Sequence, residues 1–504
     1  MKPSSAILTI AMLLTSIISI AQVEQIDRFE IAINNDEISD FHTVSAGESG
    51  LMIYRRIFEP RADKLEIMRI DTALHEVWKQ QVEIAKDLVA VSSAVKDNIL
   101  FILFRNAALR YGDFHIAAIS VVDGESLVYT VKNLIPFQPS EFVITNTAAL
   151  IGGYFNYRPL IVYFNFSTQS SKILPGFFNE PGELTQVKTY DDGTTDVIVS
   201  TDNYDKKKCL WIRNYSDQGE IIKTTILQPE DKKNLIFGRS IKVDDEQLVV
   251  GVFGRFKEYS RGLFIARITP TGEYNIQYHD YADFEHFFNY MKATKEKRVM
   301  GRIERKKVKG KKAKFNYRFA VHEIIKAGDE FVMLGEAFYP QYAYPNGVMY
   351  RNGIPQMYSH SFNRGGYTLI GYHYTHAVVI GFDKKGNLTW DNSFEINDVT
   401  TPTLKQFVKI QPLDDKILLQ YVYENKIRTK SIKDSEIIEG KSFDQIKLRF
   451  ADDILRDEKT TSSTLEYWYD GHLYVSGIQQ IKNYREIKVS ANRKVFFVNK
   501  INYK

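Results

Sequence analysis

A tight turn followed by an apolar strand recurs along this chain, with starts roughly 50 residues apart. The turns read Ala46-Gly47-Glu48-Ser49-Gly50, Lys96-Asp97-Asn98, Thr145-Asn146-Thr147, Asp191-Asp192-Gly193, Asp244-Asp245-Glu246, Gly328-Asp329-Glu330, Asp414-Asp415-Lys416 and Asp470-Gly471. Asp, Asn and Gly tolerate the left-handed backbone that a short hairpin demands. Strands such as Leu51-Met52-Ile53-Tyr54, Leu248-Val249-Val250-Gly251 and Leu473-Tyr474-Val475 follow them. The stretch 237–280 shows one complete unit. It predicts strands at Phe237–Val243, Gln247–Phe253, Leu263–Ile268 and Tyr274–His279, joined by short turns.

Four strands per unit and eight units predict an all-β chain, an eight-bladed β-propeller. The eighth unit supplies three strands, Thr464–Tyr469, Leu473–Gln479 and Lys494–Ile501, and then the chain stops. A strand around Val23–Ile31 precedes the first unit without a partner. Pairing the two would complete the last blade and remove an exposed edge. Two tandem four-blade halves, a seven-bladed ring and β-sandwich domains are the alternatives.

A second turn divides the later strands of each unit. Gly381-Phe382-Asp383-Lys384-Lys385-Gly386-Asn387-Leu388-Thr389-Trp390 resembles the Asp-x-x-Gly-x-x-x-Trp hairpin of several propeller families, which implies a shape and no cofactor. In general pattern the mature chain resembles exported propeller-like proteins, many of them from Gram-negative bacteria, with Gln22 after the signal segment. That resemblance is architectural and assigns no functional residue.

Residues 1–21 read as a signal peptide: Lys2, an apolar run from Ala6 to Ile20, and Ser19-Ile20-Ala21 as cleavage site. The apolar run falls short of the roughly 20 residues that span a bilayer, and no later segment spans. A single domain over 22–504, exported to the periplasm, the outer surface or the medium, is expected. The single cysteine, Cys209, excludes an intramolecular disulfide and reads as a small buried apolar residue.

Charge is local. The chain carries a net +4, yet twelve Lys/Arg against two Glu fall between Lys292 and Lys314. This run belongs to an excursion, Tyr281–Arg318. Its opening residues Phe284, Phe287, Phe288 and Met291 have helical spacing and predict a short amphipathic helix. Arg302, Arg305, Lys306, Lys307, Lys309, Lys311 and Lys312 then form either a solvated hairpin or a patch for an anionic polymer or acidic envelope partner. Nucleic acid is not expected, because export and a missing recognition fold argue against it.

A second excursion, Pro340–Gly371, should emerge on the same face. The stretch 338–374 holds ten aromatics in 37 residues, twice the 13 % share of the whole chain. It packs on itself as a lid, or it displays Tyr342, Tyr344, Tyr350 and Tyr358 as a platform for sugar or peptide, with Arg351 and Arg364 as polar contacts. Strand alternation puts Tyr372, Tyr374 and His376 on one face and His373 on the other, which disfavours a metal site. His322 and Glu323 lie on the innermost strand of the sixth unit.

No Gly-x-Ser-x-Gly, His-Glu-x-x-His or phosphate-binding glycine loop occurs, and the aspartate pairs are explained as turns. The reading is therefore a monomeric binding or scaffolding module of the cell envelope, without cofactor or metal. A propeller-fold hydrolase or lyase acting on glycan or peptide is the competitor.

Overall fold

The computed structural model describes residues 23–34, 40–107, 112–177, 181–343, 349–350, 368–397, 399–413, 416–456, 462–486 and 489–503. The signal-like start, the Asp414-Asp415 turn and most of the second excursion lie outside them. The described residues form eight sheets of four principal strands each, and the fold is an eight-bladed β-propeller. Blades 1 to 7 span 41–84, 88–131, 138–173, 182–227, 234–280, 318–395 and 409–445. Blade 8 combines Ser462–Tyr467, Leu473–Lys482 and Asn492–Tyr503 with the N-terminal strand Val23–Ile33.

Contacts divide the chain into two compact parts. The larger covers 38–421 and 429–442. Within it, the first strands of blades 1 to 6 run beside one another and form the hub. Neighbouring sheets bury apolar layers between them: Leu103, Ile116, Phe142, Ile151 and Phe164 between blades 2 and 3, for example, and Leu210, Ile212, Val249, Phe253 and Phe264 between blades 4 and 5. Each such side chain contributes about 1.5–3 kcal/mol on leaving water.

Among the described residues, several of the predicted turns show their chemistry. Asp97 and Asn98 (φ 51° and 58°) and Asp244 (φ 54°) adopt the left-handed conformation. In the later hairpin, Asp383 Oδ1 accepts from the backbone N–H of Lys385 and Asn387, both at 2.8 Å. Gly386 turns the chain at φ 81°. Trp390 then folds over Gly381, where any added Cβ would collide with the indole ring, and its Nε1 donates to Glu330 at 2.8 Å.

One hub feature left no mark in the sequence. The first strands of blades 2, 3, 4, 5 and 6 each carry a bulge, at Val91, Ser140, Thr185, Ile236 and His322–Glu323 respectively. A bulge adds twist and re-aims side chains. In blade 4 it lets Thr185 donate to Gly238 O of blade 5 (3.0 Å), beside Gln186, whose Oε1 accepts from Ser240 N (2.7 Å).

The second part holds blade 8 with 422–428. The N-terminal strand is its outermost, antiparallel to Asn492–Tyr503, with Phe29 opposite Val498 and Glu30 opposite Phe497. Arg28 fixes it. Its guanidinium donates to Glu30 (2.7 Å), Gln479 (2.7 Å), Asn499 (3.0 Å) and Lys447 O (3.1 Å), and lies 4.4 Å from the Phe497 ring centre. Arg493 bonds Asp453 through both terminal nitrogens, and the Arg28, Glu30, Arg493 and Asp453 side chains are all under 10 % exposed. Gln25 extends the edge further: its amide donates to Gln445 O (2.6 Å) and accepts from Lys447 N (2.7 Å).

Two sequence expectations need correction. The second excursion is shorter than read, because its flanking strands run to Ala343 and resume at Thr368. The helix of the first excursion is not at 284–291, which forms turns. It is α1, Ala293–Val308, and takes in much of the basic run that was read as a hairpin.

Candidate anion-binding surface

Both excursions leave the same end of blade 6, because one precedes its first strand and the other joins its second and third. The first is held down by aromatic rings. Tyr281, Phe284, Phe287 and Phe288 are at most 2 % exposed. The apolar spacing that resembled a helix instead marks rings inserted from turns. Asp391 secures these turns, accepting from the backbone N–H of Glu285 (3.0 Å) and His286 (2.8 Å). Burial pushes the Asp391 carboxyl above its ordinary value. Ser260 closes the other side, sharing a hydrogen bond with Tyr281 Oη (2.7 Å) and donating to Tyr317 O (2.9 Å).

His376 is the keystone of this anchor. Its ring stacks on Tyr290 at 3.6 Å and 4°, and meets Phe287 and Tyr317 edge-on at 5.4 Å. The side chain is wholly buried, and burial alone pushes its pKa down to about 3, so the ring is neutral. Nδ1 meets Thr375 Oγ1 at 2.9 Å, while Nε2 has no hydrogen-bond partner among the described residues. His376 therefore does not belong to an exposed platform.

Nor do Tyr374 and His376 share a face. The register slips at Thr375, a bulge that breaks the alternation. Tyr374 points the other way, against Phe407, with its hydroxyl donating to Lys405 O (2.5 Å). Tyr372 packs edge-on to Phe338 at 5.8 Å, and Tyr342 is buried at 8 % exposure. Both phenols are raised above their usual value by burial, with the Arg318 charge opposing. Arg318 was missed from sequence. It is 5 % exposed, lies 4.7 Å from the Tyr259 ring centre and 3.5 Å from Glu258, and its Nε is unbonded among the described residues. Tyr350 pairs through its backbone with Tyr342. Tyr344, Arg351, Tyr358 and Arg364 lie outside the described residues.

α1 follows the anchor directly in the chain. None of its side chains is buried. Glu296, Val299, Ile303 and Lys306, at positions i, i+3, i+7 and i+10, are its half-buried side. Lys295, Arg298, Arg302, Arg305 and Lys309 follow the same spacing on the exposed side. Sequence reading named Arg302, Arg305 and Lys309 and missed Lys295 and Arg298, because the 3-4 spacing has meaning only once the run is known to be helical. Lys307 and Lys311 are exposed off this row. Lys312 must be removed from the patch: it is paired with Asp280 (2.9 Å) and Asp283 (3.3 Å), and that hydrogen bonding raises its pKa.

Elsewhere in blade 6, His322 Nε2 lies 2.7 Å from Glu336, a fully buried carboxylate that also accepts from the backbone N–H of Phe407 and Val408. Among the described residues no three His, Cys, Asp or Glu side chains converge as a metal site requires, and no helix is long and apolar enough to cross a membrane.

No family model matches the chain, and no curated protein matches it. Solved structures resemble it at low identity. A prolyl endopeptidase matches at 9 % identity and TM-score 0.39 over 89 % of this chain and 55 % of its own. The chain thus spans about half the length of that protein. The polysaccharide lyase Uly1 matches at 11 % and 0.40 over 82 % and 89 %, and a eukaryotic initiation factor at 10 % and 0.43 over 92 % and 91 %. Likeness at this level carries no argument about activity.

Proposed function

We propose that this protein is an exported binding module of the cell envelope that captures an anionic polymer or acidic partner through α1. The observation that supports this reading is a cationic helix with no buried side chain, preceded in the chain by a tightly packed aromatic anchor. A helix displayed in this way does little for the hydrophobic core, whereas a rigid base keeps its charges in place and lowers the ordering cost of binding. The signal-like start motivates the export. The ribbon carrying Tyr342 and Tyr372 leaves from the same end of blade 6 and is the natural flank for a bound chain.

The reading is tested by replacing 293–309 with a short Gly/Ser linker. The expected result is an unchanged unfolding transition and loss of capture of polyanions at moderate salt. A folded variant that captures them as well as the wild type would refute it.

The His322–Glu336 pair favours a second reading, glycan or peptide processing, because a carboxylate that orients an imidazole is a common acid–base arrangement. A turnover assay separates the two: product formation that disappears in His322→Gln would establish the second reading.

A further inference from the structure

Resting on the proposal that α1 captures an anionic partner, we infer that the partner is a linear acidic polysaccharide lying along the row Lys295, Arg298, Arg302, Arg305 and Lys309. These five side chains are exposed and recur at steps of three and four residues. At 1.5 Å rise per residue the row is about 21 Å long, with a cation every ~5 Å. The steps are well inside the screening length of roughly 8 Å at physiological salt, so the charges act together on one ligand. Each neighbouring pair in the row is a like-charge i,i+3 or i,i+4 contact, which an isolated helix disfavours. A polyanion laid on the row would relieve that repulsion. The two acids of the helix, Glu296 and Glu304, are both off the row.

The form of the row selects the class of ligand. It is one side chain wide, which fits an extended chain carrying one carboxylate or sulfate per saccharide unit. Apolar side chains do not interrupt it: Val299, Met300 and Ile303 face elsewhere by the helical repeat, so nothing on it would insert among lipid tails. Aromatic rings on which bases of a single strand would stack are also missing from the row.

The test uses the full chain and three proteins: wild type, a row variant with all five cations changed to Gln, and a flank variant. The flank variant is Lys292→Gln, Lys297→Gln, Lys307→Gln, Lys311→Gln and Lys314→Gln, which removes the same charge from exposed positions off the row. Affinity is measured for polygalacturonate, neutral dextran, phosphatidylglycerol vesicles, polyphosphate and single-stranded oligo(dT). The expected result is polygalacturonate binding that weakens with salt, falls about tenfold or more in the row variant, and stays within about threefold in the flank variant. Equal losses in both variants would overturn the row. Tighter binding to vesicles, polyphosphate or oligo(dT) than to polygalacturonate would overturn the ligand class but leave an anion-capturing helix. Binding to none of the polyanions would overturn the capture reading itself.

Discussion

Acid should loosen the aromatic anchor that precedes α1, and the amount follows from one side chain. His376 is wholly buried, with its pKa pushed from 6.5 to about 3 by burial alone. A basic group whose folded pKa is lowered stabilises the native packing fully above its unfolded pKa. That contribution is lost as pH falls from about 6.5 towards about 3, because unfolding takes up a proton that the folded site refuses. Well inside that window each pH unit is worth about 1.4 kcal/mol, and because the unfolded imidazole is only half protonated at pH 6.5, moving from pH 6.5 to 4.5 should cost about 2 kcal/mol. Tyr290 and Tyr317, the polar groups packed on the ring, have pKa values raised by burial and stay neutral throughout. Asp391, reached through His286, has the opposite sign: its raised pKa favours the folded state in acid and offsets part of the loss.

The assay is hydrogen exchange of 281–317 at both pH values, corrected for the intrinsic rate, in wild type and His376→Phe. The variant keeps an aromatic ring against Tyr290 without a titrating nitrogen. Any constant overpacking cost cancels, since only the pH difference is read, and the Asp391 contribution is common to both proteins. An opening free energy that falls by the same amount in the two proteins would refute the argument.

Three further outcomes are expected. Arg28→Ala should cost about 3 kcal/mol in urea unfolding, because it leaves buried acceptors on Gln479 and Asn499 and part of Glu30 without their cation; a change below about 1 kcal/mol would show that β pairing alone holds the strand. Gly381→Ala should lower the melting temperature through a clash with Trp390 worth about 1–3 kcal/mol, whereas Gly301→Ala in α1, where nothing lies within 4 Å, should stabilise the helix by about 1 kcal/mol. Raising salt should slow amide exchange in α1, since four like-charge contacts at about 0.2–0.5 kcal/mol each are screened; faster exchange would contradict the repulsion.

Architecture was legible in this sequence because turns are chemically explicit. Asp97-Asn98, Asp244 and Gly386 mark the hairpins through residues that accept positive φ, and the missing strand of the last unit pointed to the N-terminal one. What was hidden depends on long-range packing. Phe284, Phe287 and Phe288 have helical spacing, yet their segment is held as turns by ring packing and by Asp391, about a hundred positions away. The actual helix is obscured by its charge, since Val299 and Ile303 alone give a weak apolar face. Bulges are silent too: nothing in Tyr374-Thr375-His376 reveals that Thr375 breaks the alternation and buries His376 against Tyr290. Arg318 and the pairing of Lys312 with Asp280 and Asp283 likewise emerge only from the folded blade.

The closing strand sets an order of events. Gln25 and Asn499 bond across 474 positions, so the segment synthesised first acquires its lasting neighbours only when the final hairpin exists. Throughout synthesis and any passage across a membrane, Val23–Ile33 must wait without its partner edge. Contacts this distant in sequence form slowly, and the exposed segment would be open to pairing with another copy's Asn492–Tyr503. Crowded, unfinished chains are therefore at risk of exchanging first strands, and a helper that shields this one stretch until the last hairpin forms would protect the whole propeller.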